Sequence, residues 1–103
     1  MSGEITSIKQ GGVLKISVTG MFDANVLKEF HRTYQDLEGK DKLVVVQLVD
    51  AEYMDSAGLG MLLHMKKALD KQSGGREIRL INANDRIMRL FKLMQFDQMF
   101  TIK

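Results

Sequence analysis

An alternating pattern of apolar and polar residues after a glycine pair near the start of the chain predicts a hairpin. Ile5, Ser7 and Lys9 precede Gln10-Gly11-Gly12, and residues 13–19 then alternate, with Leu14, Ile16 and Val18 on one side. Paired glycines supply the positive φ values that a tight hairpin turn requires. The pattern therefore predicts two antiparallel strands joined at Gly11 and Gly12, with Gly20 ending the second strand.

Apolar residues spaced three to four apart predict three helices further along the chain. The first covers residues 24–37, with Asp23 as its N-cap, and the second covers about 57–71. The third starts in Asn82-Ala83-Asn84-Asp85 and runs to Met94. Ser73-Gly74-Gly75 is typical of a helix stop.

The remaining apolar runs predict strands between these helices. Residues 43–49 are rich in β-branched residues and apolar on both faces of a strand. This predicts a central strand covered on both sides. Residues 77–81 form another strand, and 96–102 contain a short last one. The order β-β-α-β-α-β-α-β predicts a mixed α/β sheet of four to five strands with three to four helices packed on it. With 103 residues, the chain forms one domain, residues 1–103.

Composition excludes several classes of protein. The chain has no cysteine, so a disulfide framework, thiol catalysis and cysteine-ligated zinc are excluded. Its longest apolar stretch, residues 43–49, is too short to span a bilayer, and residues 1–4 lack a signal-peptide pattern. We therefore expect a cytoplasmic protein without membrane insertion.

Charge is nearly balanced overall but unevenly distributed. The net charge is +2, with six basic and nine acidic residues in 1–63 and nine basic and four acidic residues in 64–103. Such a field can orient a partner during encounter, or it can reflect two solvated faces. No helix-turn-helix or aromatic stacking pattern accompanies the basic residues, so we expect no nucleic-acid partner; the candidates for a basic face are Arg76, Arg79, Arg86, Arg89 and Lys92.

The segment Tyr53–Gly60 lies between a buried strand and a helix, where an open α/β sheet presents its ligand and partner sites. Ser56 falls at or next to the helix N-terminus, where unpaired amides and the helix dipole favour an anion. A serine at this position is also typical of a simple helix cap. Gly58 and Gly60 would let another backbone approach closely. Spacing alone does not separate a cap from a modification site.

Four segments resemble one family. Asp55-Ser56-Ala57-Gly58-Leu59-Gly60 is similar to the motif of STAS domains, the family of bacterial anti-sigma-factor antagonists. Residues 18–23, 82–91 and 94–100 resemble its second strand, the turn after its fourth strand and its ending. The chain departs from the family at Ala57, where many members carry a second hydroxyl, and at Met94-Gln95-Phe96, which lacks a glycine.

This resemblance implies a partner switch without catalysis or a cofactor. The unphosphorylated antagonist binds an anti-sigma factor that is itself a serine kinase, phosphorylation releases it, and a PP2C-type phosphatase restores binding. Ser56 is then the phosphoacceptor, and Asp23 lies beside it. The regulated process (stress, sporulation, motility or biofilm) stays open. The implied partner-binding residues are Asp23, Met54, Asp55, Ser56, Ala57, Gly58, Leu59 and Gly60.

Other functions are weakly supported. Ser56 lacks the leading glycine of a nucleophile elbow, and His64, eight residues along the same helix, is about 12 Å away. No phosphate-binding glycine loop is present, and His31 and His64 lack metal-ligand spacing. Most of the eight methionines fill the core, although Met54 and Met61 could face a partner. One alternative is a STAS docking subunit of a membrane transporter complex with no phospho-switch. We expect a monomer.

Overall fold

The computed structural model describes residues 2–72 and 76–103, so the helix stop expected at Ser73-Gly74-Gly75 lies outside the described residues. Five strands and three helices follow in the expected order. Their bounds are β1 Glu4–Gln10, β2 Val13–Phe22, α1 Leu27–Tyr34, β3 Leu43–Met54, α2 Ser56–Gln72, β4 Glu77–Ile81, α3 Asp85–Leu93 and β5 Thr101–Ile102.

The hairpin turn forms where the two glycines predict it. Gly11 and Gly12 have φ values of 60° and 80°, and β1 pairs antiparallel with β2. Gly20 does not end the second strand, contrary to expectation. Its φ of 76° accompanies a register shift against β3, and β2 continues to Phe22. Glycine does not stop the strand, because it adopts positive φ without steric penalty, and the extra residue of the adjacent register shift is Glu52 on β3.

The strands lie in the sheet in their sequence order. β1 is antiparallel to β2, and every other neighbouring pair is parallel. Each helix therefore connects two adjacent parallel strands, and right-handed crossovers in one direction place all three helices on the same face. This arrangement is the mixed α/β sheet that the sequence predicts.

Only one face of the sheet is fully buried, which corrects the expectation that β3 is covered on both sides. Ile16, Val46 and Leu80 lie side by side in the register and are at most 1% exposed. The adjacent row of paired residues, whose side chains point to the other face of the sheet, contains Val45 and Arg79, which are half-buried. Among the described residues, no helix covers the second face of the Val-rich run, because all crossovers lie on the first.

The first helix differs from the prediction at both ends, whereas the third starts where it is predicted. Residues 24–26 form a 3₁₀ turn that precedes α1, and the carboxylate of Asp23 caps this turn by accepting from the Asn25 N–H at 3.0 Å. The predicted helix end at residue 37 is also too late, since α1 ends at Tyr34. Asn84 caps α3, as its Oδ1 accepts from the Ile87 N–H at 2.9 Å.

A hydrogen-bond network around buried Arg76 and Asp41 holds the loop before β3, at the opposite end of that strand from the motif. Arg76 is 4% exposed, and it donates to the carbonyl oxygens of Asp41 at 2.6 Å and Glu38 at 2.8 Å. The Asp41 carboxylate accepts from the Glu38 N–H at 3.0 Å and lies 3.7 Å from Lys9 Nζ. The Glu38 N–H, followed by Lys9, holds the pKa of Asp41 below its usual range. This loop therefore depends on Arg76 and Asp41 together.

Candidate partner-binding site

The candidate site is built where β2 and β3 end at the same edge of the sheet. β3 extends to Met54, five residues beyond the predicted strand end at Val49, and Met54 pairs with Phe22 of β2. Neighbouring strands lie about 5 Å apart, so the residues that follow this pair, Asp23 and Asp55, emerge side by side. The strand register thus brings together two distant segments that the resemblance connected.

Asp55, not Ser56, caps α2. Its Oδ1 accepts from the Gly58 N–H at 3.0 Å, and its carbonyl oxygen accepts from the Leu59 N–H at 3.0 Å. Ser56 is the first residue of the helix and is exposed, and its hydroxyl makes no hydrogen bond to another residue of the described part. The capping role considered for Ser56 is therefore wrong, because the neighbouring carboxylate performs it.

The serine stands at a helix end that can hold an anion but within an acidic surface. The first amides of α2 have no intrahelical acceptor and point along the positive end of the helix dipole. Asp50 and Glu52 are exposed on the preceding strand, Asp55 directly precedes the serine, and Asp23 follows the strand end that pairs with Met54. The helix end thus favours an anion at Ser56, whereas the adjacent Asp55 carries charge of the same sign.

The two glycines of the motif have different surroundings. A Cβ on Gly58 would lie 2.4 Å from the Phe22 carbonyl oxygen and 2.9 Å from Met54 Cγ, so glycine is needed for α2 to pack on the strand ends. A Cβ on Gly60 would meet nothing within 4 Å, and Gly60 is exposed. Gly58 therefore serves close packing inside the domain, and Gly60 leaves open space at the surface.

Burial divides the predicted partner-binding residues into two groups. Met54, Gly58 and Leu59 belong to the core, with Met54 and Leu59 4% and 7% exposed, so they can shape the site without direct contact with a partner. Met61, considered with Met54 as an adaptable surface residue, is also buried. The residues that a partner can reach are Asp23, Asp55, Ser56, Ala57 and Gly60.

A groove beside the serine was not predicted from the sequence. It lies between α1 and α2 and encloses about 530 Å³. The small residues Ala24, Ala57 and Gly60 line it at exposed or half-buried positions, and this could have indicated a gap between the helices. The pairing of α1 with α2 was needed to see it, and that pairing is a tertiary feature.

His31 and His64 line the same groove, and their ring centroids are 6.3 Å apart. The two rings are therefore neighbours in space, although the residues are far apart along the chain. Among residues 2–72 and 76–103, no group of three or more histidine, aspartate or glutamate side chains is placed to hold a metal ion.

The basic residues considered for a nucleic-acid face are not all available. Arg76 is buried in the loop network, and Arg79 Nε bonds Glu77 Oε2 at 2.6 Å. This contact lowers the pKa of Glu77 and raises that of Arg79. In the described part of the chain, no helix is both long and apolar enough to cross a bilayer.

Comparison with known proteins connects this architecture to a family. The model of the family described as "Mlab, STAS domain" matches residues 5–102, which is nearly the whole chain. The chain belongs to the STAS-domain family.

Two relatives of this STAS domain are of similar length. A STAS-domain containing protein of Pseudomonas aeruginosa is 31% identical over 94 residues, which cover 89% of each chain. An anti-sigma-B factor antagonist of Listeria monocytogenes is 29% identical over 91 residues, which cover 87% of this chain and 78% of the relative.

Solved structures show the same fold. An anti-sigma factor antagonist from Mycobacterium paratuberculosis has a TM-score of 0.77 at 20% identity, over 98% of this chain and 85% of the other. The anti-sigma factor antagonist SpoIIAA in its unphosphorylated form has a TM-score of 0.73 at 14% identity, over 97% of this chain and 87% of the other. A structure of SpoIIAA in the phosphorylated form also matches, with a TM-score of 0.69. The predicted fold is thus confirmed.

Proposed function

We propose that this STAS domain is an anti-sigma factor antagonist in a partner-switching pathway. Unphosphorylated, it binds an anti-sigma factor with serine kinase activity; phosphorylated on Ser56, it releases that partner. The observation that carries the proposal is the exposed Ser56 hydroxyl, which stands at the first position of α2 while Asp55 does the capping. The serine is therefore accessible to a kinase, and its modification leaves the cap intact.

Electrostatics explains how one phosphate could change partner choice. Phosphorylation adds about −1.5 to −2 charges at Ser56, which directly follows Asp55 at the end of the sheet where Asp23 also emerges. In the free domain, which is surrounded by water, the amides at the start of α2 can stabilise this charge. A partner packed over the same surface would bury it among carboxylates, which we expect to oppose binding by about 3 kcal/mol. That energy corresponds to about a hundredfold loss of affinity, without any refolding of the domain.

The exposure of Ser56 also suits its dephosphorylation. A phosphoserine at the first position of a helix, at the end of the sheet, would be open to a PP2C-type phosphatase that restores the binding form. The proposal implies a cytoplasmic protein that acts as a monomer toward its kinase, and it requires no catalytic residue or cofactor in this chain.

The direct test is intact-mass measurement after incubation with ATP and the cognate anti-sigma kinase. Wild type is expected to gain one phosphate, and Ser56→Ala none. Thr19→Ala, which removes an exposed hydroxyl on β2, is the matched control and should still be modified. Equal phosphorylation of wild type and Ser56→Ala would overturn the assignment. Unchanged partner binding by Ser56→Asp would favour the docking subunit of a transporter complex.

A further inference from the structure

The groove between α1 and α2 is an open apolar surface directly beside the proposed switch. Leu27 is 48% exposed on one wall, and Met61 lies at the base of the other. Ala57, the neighbour of Ser56, lines the end of the groove nearest the serine. A bound element in this groove would therefore adjoin the phosphoacceptor.

The α2 side of the groove is about as long as two turns of a partner helix. Ser56, Gly60 and His64 are spaced four residues apart, so they follow one exposed stripe of α2. Eight residues of α helix extend about 12 Å, which is also the length of two helical turns of a partner. Gly60 in the middle has no neighbour within 4 Å of a Cβ position, which leaves room for an inserted side chain.

The described residues that line the groove include basic but no acidic side chains. Lys28 lines it together with His31 and His64, and Lys28 makes no ion pair with any residue that the structure describes. Asp55, which directly precedes Ser56, lies outside the lining. An occupant with carboxylates that face Lys28 would complement this charge.

We propose that the groove receives an amphipathic helix of the kinase partner, with an apolar side chain seated over Gly60 between Leu27 and Met61. Acidic residues of that helix lie near Lys28, and its other end reaches Ser56. This inference rests on the proposed function, whose partner it describes. Helix-in-groove docking uses apolar anchors at helical spacing, and the groove provides apolar walls about two turns long.

The test combines photo-cross-linking with variants of the full chain. Benzoylphenylalanine replaces Lys28 in the groove or, as a control, Leu93, which is 78% exposed on α3. After capture from lysate of the source organism, the cross-linked peptide is identified by mass spectrometry. We expect position 28 to join a helical segment with leucine, methionine or phenylalanine beside aspartate or glutamate. A basic or extended segment, or cross-linking from position 93 alone, would overturn the inference.

Binding of the same captured partner is then measured for Gly60→Leu, which fills the groove, and for Leu93→Asp as the matched surface control. We expect Gly60→Leu to lose about 30-fold in affinity and Leu93→Asp to keep wild-type affinity. If Ser56→Asp loses binding and Gly60→Leu does not, docking in the groove is wrong and the phospho-switch stands. If Gly60→Leu loses binding and Ser56→Asp does not, docking in the groove stands and the phospho-switch is wrong.

Discussion

Replacing Gly58 by alanine places a methyl group where α2 meets the ends of β2 and β3. The added Cβ lies 2.4 Å from the Phe22 carbonyl oxygen, 2.8 Å from Phe22 Cδ2 and 2.9 Å from Met54 Cγ. The nearest of these atoms is strand backbone, which cannot rotate away as a side chain can. Helix and strand must therefore separate, or the strand end must shift.

The size of the effect follows from two opposing terms. Inserting a methyl group into a filled core destabilises by about 1–3 kcal/mol, and the backbone contact favours the upper end. Alanine gains about 1 kcal/mol over glycine within a helix. The net expectation for Gly58→Ala is a loss of about 2 kcal/mol, which lowers the melting temperature of a domain of this size by about 8–16 °C.

Gly60→Ala is the matched control in the same helix. Its Cβ meets nothing within 4 Å, so only the gain in helix propensity remains, about 1 kcal/mol. Thermal unfolding followed by circular dichroism should show Gly60→Ala melting above wild type and Gly58→Ala below it. Equal melting temperatures for the two variants, or a Gly58→Ala domain as stable as wild type, would refute the packing argument.

Three further predictions concern Asp55 and the buried loop. Asp55→Ala should destabilise by about 1 kcal/mol through loss of the α2 cap, whereas Asp55→Asn, which keeps an acceptor, should retain most stability in urea unfolding. The lowered pKa of Asp41 stabilises the fold above the ordinary aspartate pKa of about 3.9. This contribution is lost as pH falls through the folded pKa, so Asp41→Asn should flatten the decline of melting temperature in that acid range. Arg76→Met should lower stability by about 1–3 kcal/mol for each carbonyl left without a donor, measured by the same urea unfolding.

The order of the strands and helices was predictable because it depends on local sequence patterns. The glycine pair at 11 and 12 fixed the hairpin, and helical periodicity identified all three helices. Gly20 and β3 were misjudged for one shared reason. A single glycine after an alternating run suggests the end of a strand. Pairing between the two parallel strands nevertheless continues β2 past Gly20 to Phe22 and β3 to Met54.

The candidate site was predictable in its residues but not in their roles. Ser56 and Asp55 are both good N-caps, and only the Gly58 N–H at 3.0 Å from Asp55 decides between them. The groove and the proximity of His31 to His64 depend on how α1 packs beside α2. Gln95 shows a similar limit: its φ of 56° lies in the left-handed region that favours glycine, and the sequence gives no sign of this conformation.

The phospho-switch at Ser56 is tested most directly by the affinity of the captured anti-sigma kinase for the domain before and after phosphorylation. Calorimetry would compare wild type, enzymatically phosphorylated wild type and Ser56→Ala. We expect similar affinity for wild type and Ser56→Ala and about a hundredfold weaker binding of the phosphorylated form. Equal affinity of the phosphorylated and unphosphorylated domains would contradict the switch.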